Sequence, residues 1–356
     1  LYWIGFQIHY RFSQQQGLAC TNQLMTLNGG NQRKMRIWKK HVDIYEDIDK
    51  IDAFIRKSVK ANQKVLNEAV NDLLSAGGKR LRPIMVLLAG RFGRYNEDRL
   101  IPLAAAIEIM HMATLVHDDI IDEAEMRRGK PTTRSRWGND VAVFTGDFLF
   151  TRAFSLVTQT ISQQNMHYLS NAIKAICKGE VDQFESRYKG GVSINGYLKR
   201  ISRKTAVLFS LSCQTGASEA RCRRETIRHL RKFGLDFGMA FQITDDILDF
   251  TGRENEVGKP LCSDFVEGVY TLPIIYTMMN PEYKGEMEQY IGRRGLSQED
   301  IKAVGRLVEE SGGLEQSTKL ALRYLERCQK SLDALPDNQA KGALQELVEE
   351  LIERKY

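Results

Sequence analysis

From Ile101 to His117 the chain reads IPLAAAIEIMHMATLVH, apolar nearly all the way round a helix. A helix of that kind belongs inside a bundle rather than on a surface. Apolar residues also recur at i, i+3, i+4 spacing over 84–90, 101–121, 141–158, 168–185, 197–217, 226–250, 268–279 and 299–311. Alternating strand-like runs are absent. Only seven prolines occur in 356 residues, and Pro83, Pro102 and Pro131 fall near expected helix starts or loops. No linker interrupts the chain from Trp38 onward. The pattern predicts an all-α protein of many medium helices in a single domain, residues 35–356. Residues 1–34, with QQQ, NGGNQ and little periodicity, are expected to be an N-terminal extension, non-native or disordered, with a natural start at Met25 or Met35. The apolar opening LYWIGFQI is too short to span a bilayer.

Charge and cysteine usage remove several function classes. The formal charge is +6, but residues 1–34 carry Arg11, Arg33 and Lys34 and no acidic residue, which leaves 48 basic against 45 acidic in the remainder. A near-balanced body without a single-sign stripe argues against nucleic acid as a partner. The cysteines (Cys20, Cys177, Cys213, Cys222, Cys262, Cys328) are scattered with no CxxC pair. That spacing speaks against a zinc site or a disulfide framework and for a reducing, cytoplasmic setting.

One segment of the chain recurs. MATLVHDDIID at 112–122 aligns with MAFQITDDILD at 239–249, with six of eleven positions identical at an offset of 127. In each copy the outer aspartates, Asp118 and Asp122 or Asp245 and Asp249, are i,i+4 and leave one helix face, with Asp119 and Asp246 between them. Both clusters follow a long apolar run and so lie late in their helices. There the helix dipole disfavours carboxylates by about 0.3–1 kcal/mol each. A repeated cost of this kind points to a cation that offsets it, and hard divalent ions such as Mg²⁺ take carboxylate oxygens together with substrate phosphates. The bland alternative is a solvated acidic helix end, which two copies on apolar helices make a poor account.

Basic groups complement the acidic ones. Gly77-Gly78-Lys79-Arg80-Leu81-Arg82-Pro83 is a glycine turn entering a helix, a favourable place for phosphate. Lys79 and Arg82, at i,i+3, are expected to share a face. Arg127 and Arg128 follow directly after the first acidic cluster, so they return to the same mouth, and the arginine fork suits diphosphate oxygens. Lys204-Thr205 and Lys259 are further candidates. Any one of these alone reads as a solvated surface charge. His111 lies two turns before Asp118; a lone histidine in an apolar helix is commonly a satisfied core residue, and a diphosphate-facing role becomes preferable only with Lys79 and Arg82 nearby.

The ordered set GGKRLRP (77–83), HMATLVHDDIIDEAEMRRGKPT (111–132), GDFLF (146–150), KTA (204–206), FQITDDILDFTG (241–252) and GKP (258–260) resembles the trans-isoprenyl diphosphate synthases over about residues 40–356. The resemblance is nearest to the catalytic subunit of bacterial heptaprenyl diphosphate synthase. It implies an isoprenoid-synthase-type helical bundle around a deep central cavity. It implies three Mg²⁺ per active site: Asp118 and Asp122 would hold metal against an allylic diphosphate, and Asp245 and Asp249 a further ion. Lys79, Arg82, His111 and Arg128 would grip isopentenyl diphosphate; Arg127, Lys204 and Lys259 the allylic diphosphate. Thr205 and Gln242 would aim dipoles at the developing allylic cation.

In that family a large aromatic residue five positions before the first aspartate stops chain growth early. Here the position is Ala113, followed by Thr114, and both are small, which implies a medium or long all-trans product. A heptaprenyl chain made from farnesyl diphosphate, destined for a quinone such as menaquinone, is the expected outcome, with Phe150 or Phe154 as a candidate tunnel floor. The family resemblance implies a dimer, here a heterodimer with a small regulatory subunit, and at most peripheral membrane contact. One departure stands out. After GKP the relatives continue with a glycine-rich step, whereas this chain has Leu261-Cys262-Ser263-Asp264. Two rivals remain: a class I terpene cyclase, which normally has a different second metal motif, and a non-catalytic helical partner subunit, which would be expected to lose one or both aspartate clusters.

Overall fold

The computed structural model describes residues 42–252 and 261–353. Ten helices run from Val42–Ser58 (α1), Lys64–Ser75 (α2), Leu81–Gly90 (α3) and Glu97–Ile121 (α4) through the short Thr133–Trp137 (α5) to Asn139–Thr160 (α6), Gln163–Ser186 (α7), Ile194–Ile201 (α8), Val207–Glu219 (α9) and Arg224–Thr251 (α10). Beyond them come the short Ser263–Val266, then Leu272–Met279, Pro281–Met287, Gln298–Glu310, Gly313–Asp333 and Gln339–Glu353. The one β ladder among the described residues is a two-residue hairpin pairing Met126–Arg127 with Lys130–Pro131. The all-α class expected from periodicity is the class observed.

The core explains the composition of its helices. Nine of the ten residues of α3 are buried, and only Arg82 escapes. α4 buries fourteen residues on every side of its axis, which accounts for the absence of a polar face between Leu100 and Val116. α3 packs on α9 so closely that a Cβ at Gly216 would stand 2.1 Å from the Val86 carbonyl oxygen, so no other residue fits there. α4 and α6 meet across Gly146, where a Cβ would meet the His117 ring at 2.2 Å. Both α4 and α6 are long and apolar enough to cross a membrane by length and composition. For α4 that apolarity is consumed by packing, with 72% of its most apolar stretch buried, against 33% for α6.

The expected helix over 197–217 is interrupted. Between α8 and α9 the residues Ser202–Ala206 form one π-helical turn. Such wide turns insert an extra residue and are frequent at functional sites. Here the turn sends two neighbouring side chains in different directions, Lys204 toward α7 and Thr205 toward α10.

Candidate active site

α4 ends at Ile121 with Asp122 as its C-cap, so the first acidic cluster does lie at a helix C-terminus. Its three aspartates have different partners. Asp119 is buried and accepts from Arg127 Nε at 2.7 Å, which brings the arginine after the motif back onto it. Asp122 is paired with Arg187, at the C-cap of α7. Asp118 lies beside Lys204, Glu180 and Asp122, and burial, then the charges of Glu180 and Asp122, push its carboxyl up to about 7 against the pull of Lys204 and Arg127. Lys204 donates to Glu180 at 2.8 Å. Burial works to lower its ammonium pKa, but Asp118, Glu180 and Asp122 together hold it above the usual value.

The second cluster sits within the last two turns of α10 and is held mainly by neutral donors. Thr205 Oγ1 donates to Gln242 Oε1 at 2.6 Å, and Gln242 Nε2 donates to Asp246 Oδ1 at 2.8 Å. Tyr197 Oη donates to Asp246 Oδ2 at 2.5 Å from α8. Burial, then Asp264, pushes Asp246 up to about 8. Asp249 accepts from Ser263 N at 3.1 Å and Ser263 Oγ at 2.8 Å on one oxygen, and from Asp264 N at 3.3 Å on the other. Burial and Asp264 push it up to about 7. Asp245 acts on Arg82, whose cation it favours. The two clusters therefore meet through the π turn: Lys204 faces the first and Thr205 leads to the second.

The basic side is built on α3. Arg82 Nη1 lies 3.2 Å from His111 Nε2, and its guanidinium stacks 4.2 Å from the Phe209 ring centre. Burial lowers the Arg82 pKa to about 10. His111 is held well below its ordinary value by burial and by the Arg82, Arg128 and Arg127 charges. It is therefore neutral, with Nε2 accepting from an arginine that can only donate. Arg128 is tied to the glycine turn through the Gly77 carbonyl.

Lys79 does not share a helical face with Arg82. It precedes α3 and is exposed, because Arg80, the N-cap, takes the left-handed conformation (φ 51°, ψ 32°) and turns the chain between them. Arg80 is kept there by Glu108 at 2.7 Å and Asp52 at 2.8 Å. Ala113 is fully buried in α4, and Thr114 Oγ1 bonds back to the His111 carbonyl at 2.8 Å. Phe150 packs on His117 with ring centres 5.7 Å apart. Phe154 is 41% exposed on α6, so it is no tunnel floor within the chain. Lys259, with Gly258 and Pro260, lies outside the described residues. The departure after GKP becomes a turn: Cys262 adopts the left-handed conformation (φ 57°) that glycine takes without strain, and its N–H donates to the Asp249 carbonyl at 2.8 Å.

Arg187, Glu180, Tyr197 and Ser263 belong to the site without having been found by motif. Arg187 and Glu180 come from α7, the first pairing with Asp122 and the second with Lys204, while Tyr197 on α8 and Ser263 reach Asp246 and Asp249; only Ser263, inside the noted departure, lay next to a sequence signal. The oxygen-only donors of the two clusters suit a hard divalent ion. Among the described residues no three His, Cys, Asp or Glu side chains converge to hold a metal unaided.

The profile of the polyprenyl synthetase family matches residues 63–308. Component 2 of heptaprenyl diphosphate synthase from Geobacillus stearothermophilus is 38% identical over 322 residues, covering 90% of this chain and all of that one. The crystal structure of heptaprenyl diphosphate synthase from Staphylococcus aureus superposes with a TM-score of 0.84 at 35% identity, covering 87% of this chain and 98% of that one. A polyprenyl synthase from Caulobacter crescentus, solved with calcium and isoprenyl diphosphate, has the same TM-score and identity over 88% of this chain and 97% of its own. The products named for curated relatives range from geranylgeranyl to nonaprenyl diphosphate.

Proposed function

The chain belongs to the polyprenyl synthetase family, and on that premise we propose that it extends an allylic diphosphate with isopentenyl diphosphate to an all-trans polyprenyl diphosphate of heptaprenyl type. The observation that carries this reading is the pairing of two aspartate clusters through one π turn, with a separate cationic pocket of Arg82, His111 and Arg128 beside them. Two anionic substrates need two such places. Asp118 and Asp122, with the second cluster, would hold Mg²⁺, which when bound would help neutralise the departing diphosphate.

The chain's own groups do the rest. Lys204 and Arg127 stand at the first cluster to take allylic phosphate oxygens. Lys79, Arg82 and Arg128 hold isopentenyl diphosphate, with His111 neutral so that it orients Arg82 rather than repelling it. As the allylic C–O bond ionises, the Thr205 and Gln242 dipoles face the forming cation in a site walled by apolar helices. The isopentenyl double bond attacks, a proton leaves to the released diphosphate, and the chain is five carbons longer. In this reading the small, buried Ala113 does not block a growing tail as a large aromatic side chain would.

The partner reading rests on α6. Val143, Phe144 (64% exposed) and Phe154 are apolar side chains exposed on α6 that offer contacts to a second subunit, of the kind the designation component 2 implies for the relatives. Purified protein given Mg²⁺, farnesyl diphosphate and isopentenyl diphosphate, with and without a small partner subunit, should yield an all-trans polyprenyl diphosphate by product chromatography. Ala113→Phe should shorten it. A cyclised hydrocarbon, or no five-carbon extension under either condition, would sink the reading.

A further inference from the structure

Arg187 belongs to none of the sequence motifs, yet it makes the most direct cationic contact with the first acidic cluster. Its Nη2 pairs with the Asp122 carboxylate and its Nη1 reaches the Ile121 carbonyl at 3.4 Å, at the negative end of the α4 dipole. Its Nε is buried and has no hydrogen-bond partner among the described residues. The side chain is 17% exposed, and so is close to the solvent-facing mouth without being free in it. Its backbone is fixed from behind. Arg187 N donates to Phe184 O at 3.3 Å, and the next residue, Tyr188, donates to Gly268 O at 2.9 Å while Arg294 stacks 4.5 Å from its ring. The guanidinium can therefore change partners only by side-chain rotation.

This geometry creates a competition. A divalent ion that takes the Asp122 carboxylate meets a guanidinium already bonded to it, and two cations on one carboxylate repel. Lys204 does not have the same conflict, because Glu180 holds it on a carboxylate that lies outside the motif. Arg187 needs another acceptor to release Asp122, and a diphosphate offers several oxygens that match the arginine fork. Resting on the reading of the first cluster as a divalent-metal site, we propose that Arg187 is a positioning residue that holds Asp122 until a diphosphate accepts its guanidinium, so that metal and diphosphate enter together rather than independently.

The test measures two affinities in the full chain, that of Mn²⁺ alone and that of the preformed Mn²⁺–pyrophosphate complex. They are determined by calorimetry and by the spin-resonance signal of unbound Mn²⁺. Arg187→Met and Arg187→Gln should bind Mn²⁺ alone more tightly and the complex more weakly, each by about fivefold or more. Arg187→Lys, which keeps the charge but not the fork, should fall between them and the parent. Opposite changes in the two affinities are what a merely structural ion pair would not produce. Unchanged or weaker binding of Mn²⁺ alone in both neutral variants, or unchanged binding of the complex, overturns the inference while leaving the metal reading in place. A parent chain that binds neither probe overturns both.

Discussion

The two DDxxD clusters are close to identical in sequence and are held in opposite ways. The first is surrounded by cations: Arg127 on Asp119, Arg187 on Asp122, and Lys204 beside Asp118. In the second, Asp246 and Asp249 take their hydrogen bonds among the described residues from hydroxyls, an amide and backbone N–H groups, of Tyr197, Gln242, Ser263 and Asp264, while Asp245 acts on Arg82. Charged partners can be exchanged for phosphate as a substrate arrives. Neutral donors fix carboxylates in place and have nothing to exchange. The first cluster is thus suited to handling the leaving group, and the second to holding a fixed geometry.

Removing Asp118 and Asp249 in turn should show that contrast most strongly. Asp118→Ala should lower kcat/KM for chain extension by about a thousandfold, because it removes electrostatic stabilisation of the departing group. Asp249→Ala should lose clearly less, since both of its oxygens already serve the 263–264 turn. Equal losses in steady-state assays would erase the distinction. A smaller effect belongs to Ser263→Ala, which deletes the Oγ donor but leaves the two backbone donors to Asp249. A loss of about threefold to tenfold in kcat/KM corresponds to one hydrogen bond, and a loss as large as that of Asp118→Ala would contradict the role given to the turn.

The least conspicuous effect is on stability. Asp118, Asp246 and Asp249 have native pKa values pushed up to about 7, 8 and 7, above the unfolded carboxylate range. Each binds its proton more tightly when folded, so its contribution to stability is full below the unfolded pKa and is lost as pH rises through the folded one. His111, depressed in the native state, pulls the other way until the unfolded imidazole has lost its proton, so one histidine offsets part of the trend of three carboxylates near pH 6.5 and none of it at the upper end. Metal-free protein should therefore lose Tm from about pH 6.5 to 8. Mg²⁺ with pyrophosphate should restore more of it at the upper end, since ligands that bind only the folded state stabilise by mass action. A Tm that rises over this window without metal would show that these carboxylates are better solvated than their burial indicates.

Part of this site is legible in the sequence. Asp118 and Asp122 are four residues apart on an apolar helix, so their common direction follows from helical geometry. Arg127 is eight residues after Asp119, and its return across a short hairpin follows from the Gly129 turn. The shared face expected for Lys79 and Arg82 failed because it assumed helix across Arg80, whose left-handed backbone depends on Glu108 and Asp52, both 28 residues distant. Arg187 lies 65 residues from Asp122 and Tyr197 lies 49 from Asp246. No local pattern connects such pairs.

The composition of the apolar run 101–117 required an interior helix, since nothing in it can face water over a whole side. The repeated aspartates at the ends of two such helices equally called for compensation, because carboxylates at helix C-termini are unfavourable on their own. Whether a cluster receives it mainly from cations or from neutral donors was decided by tertiary structure. Helix periodicity says which way a side chain leaves its own axis. Only the packing of α7, the π turn and the 261–264 turn against α4 and α10 says what it meets there, and so makes two near-identical motifs into two different sites.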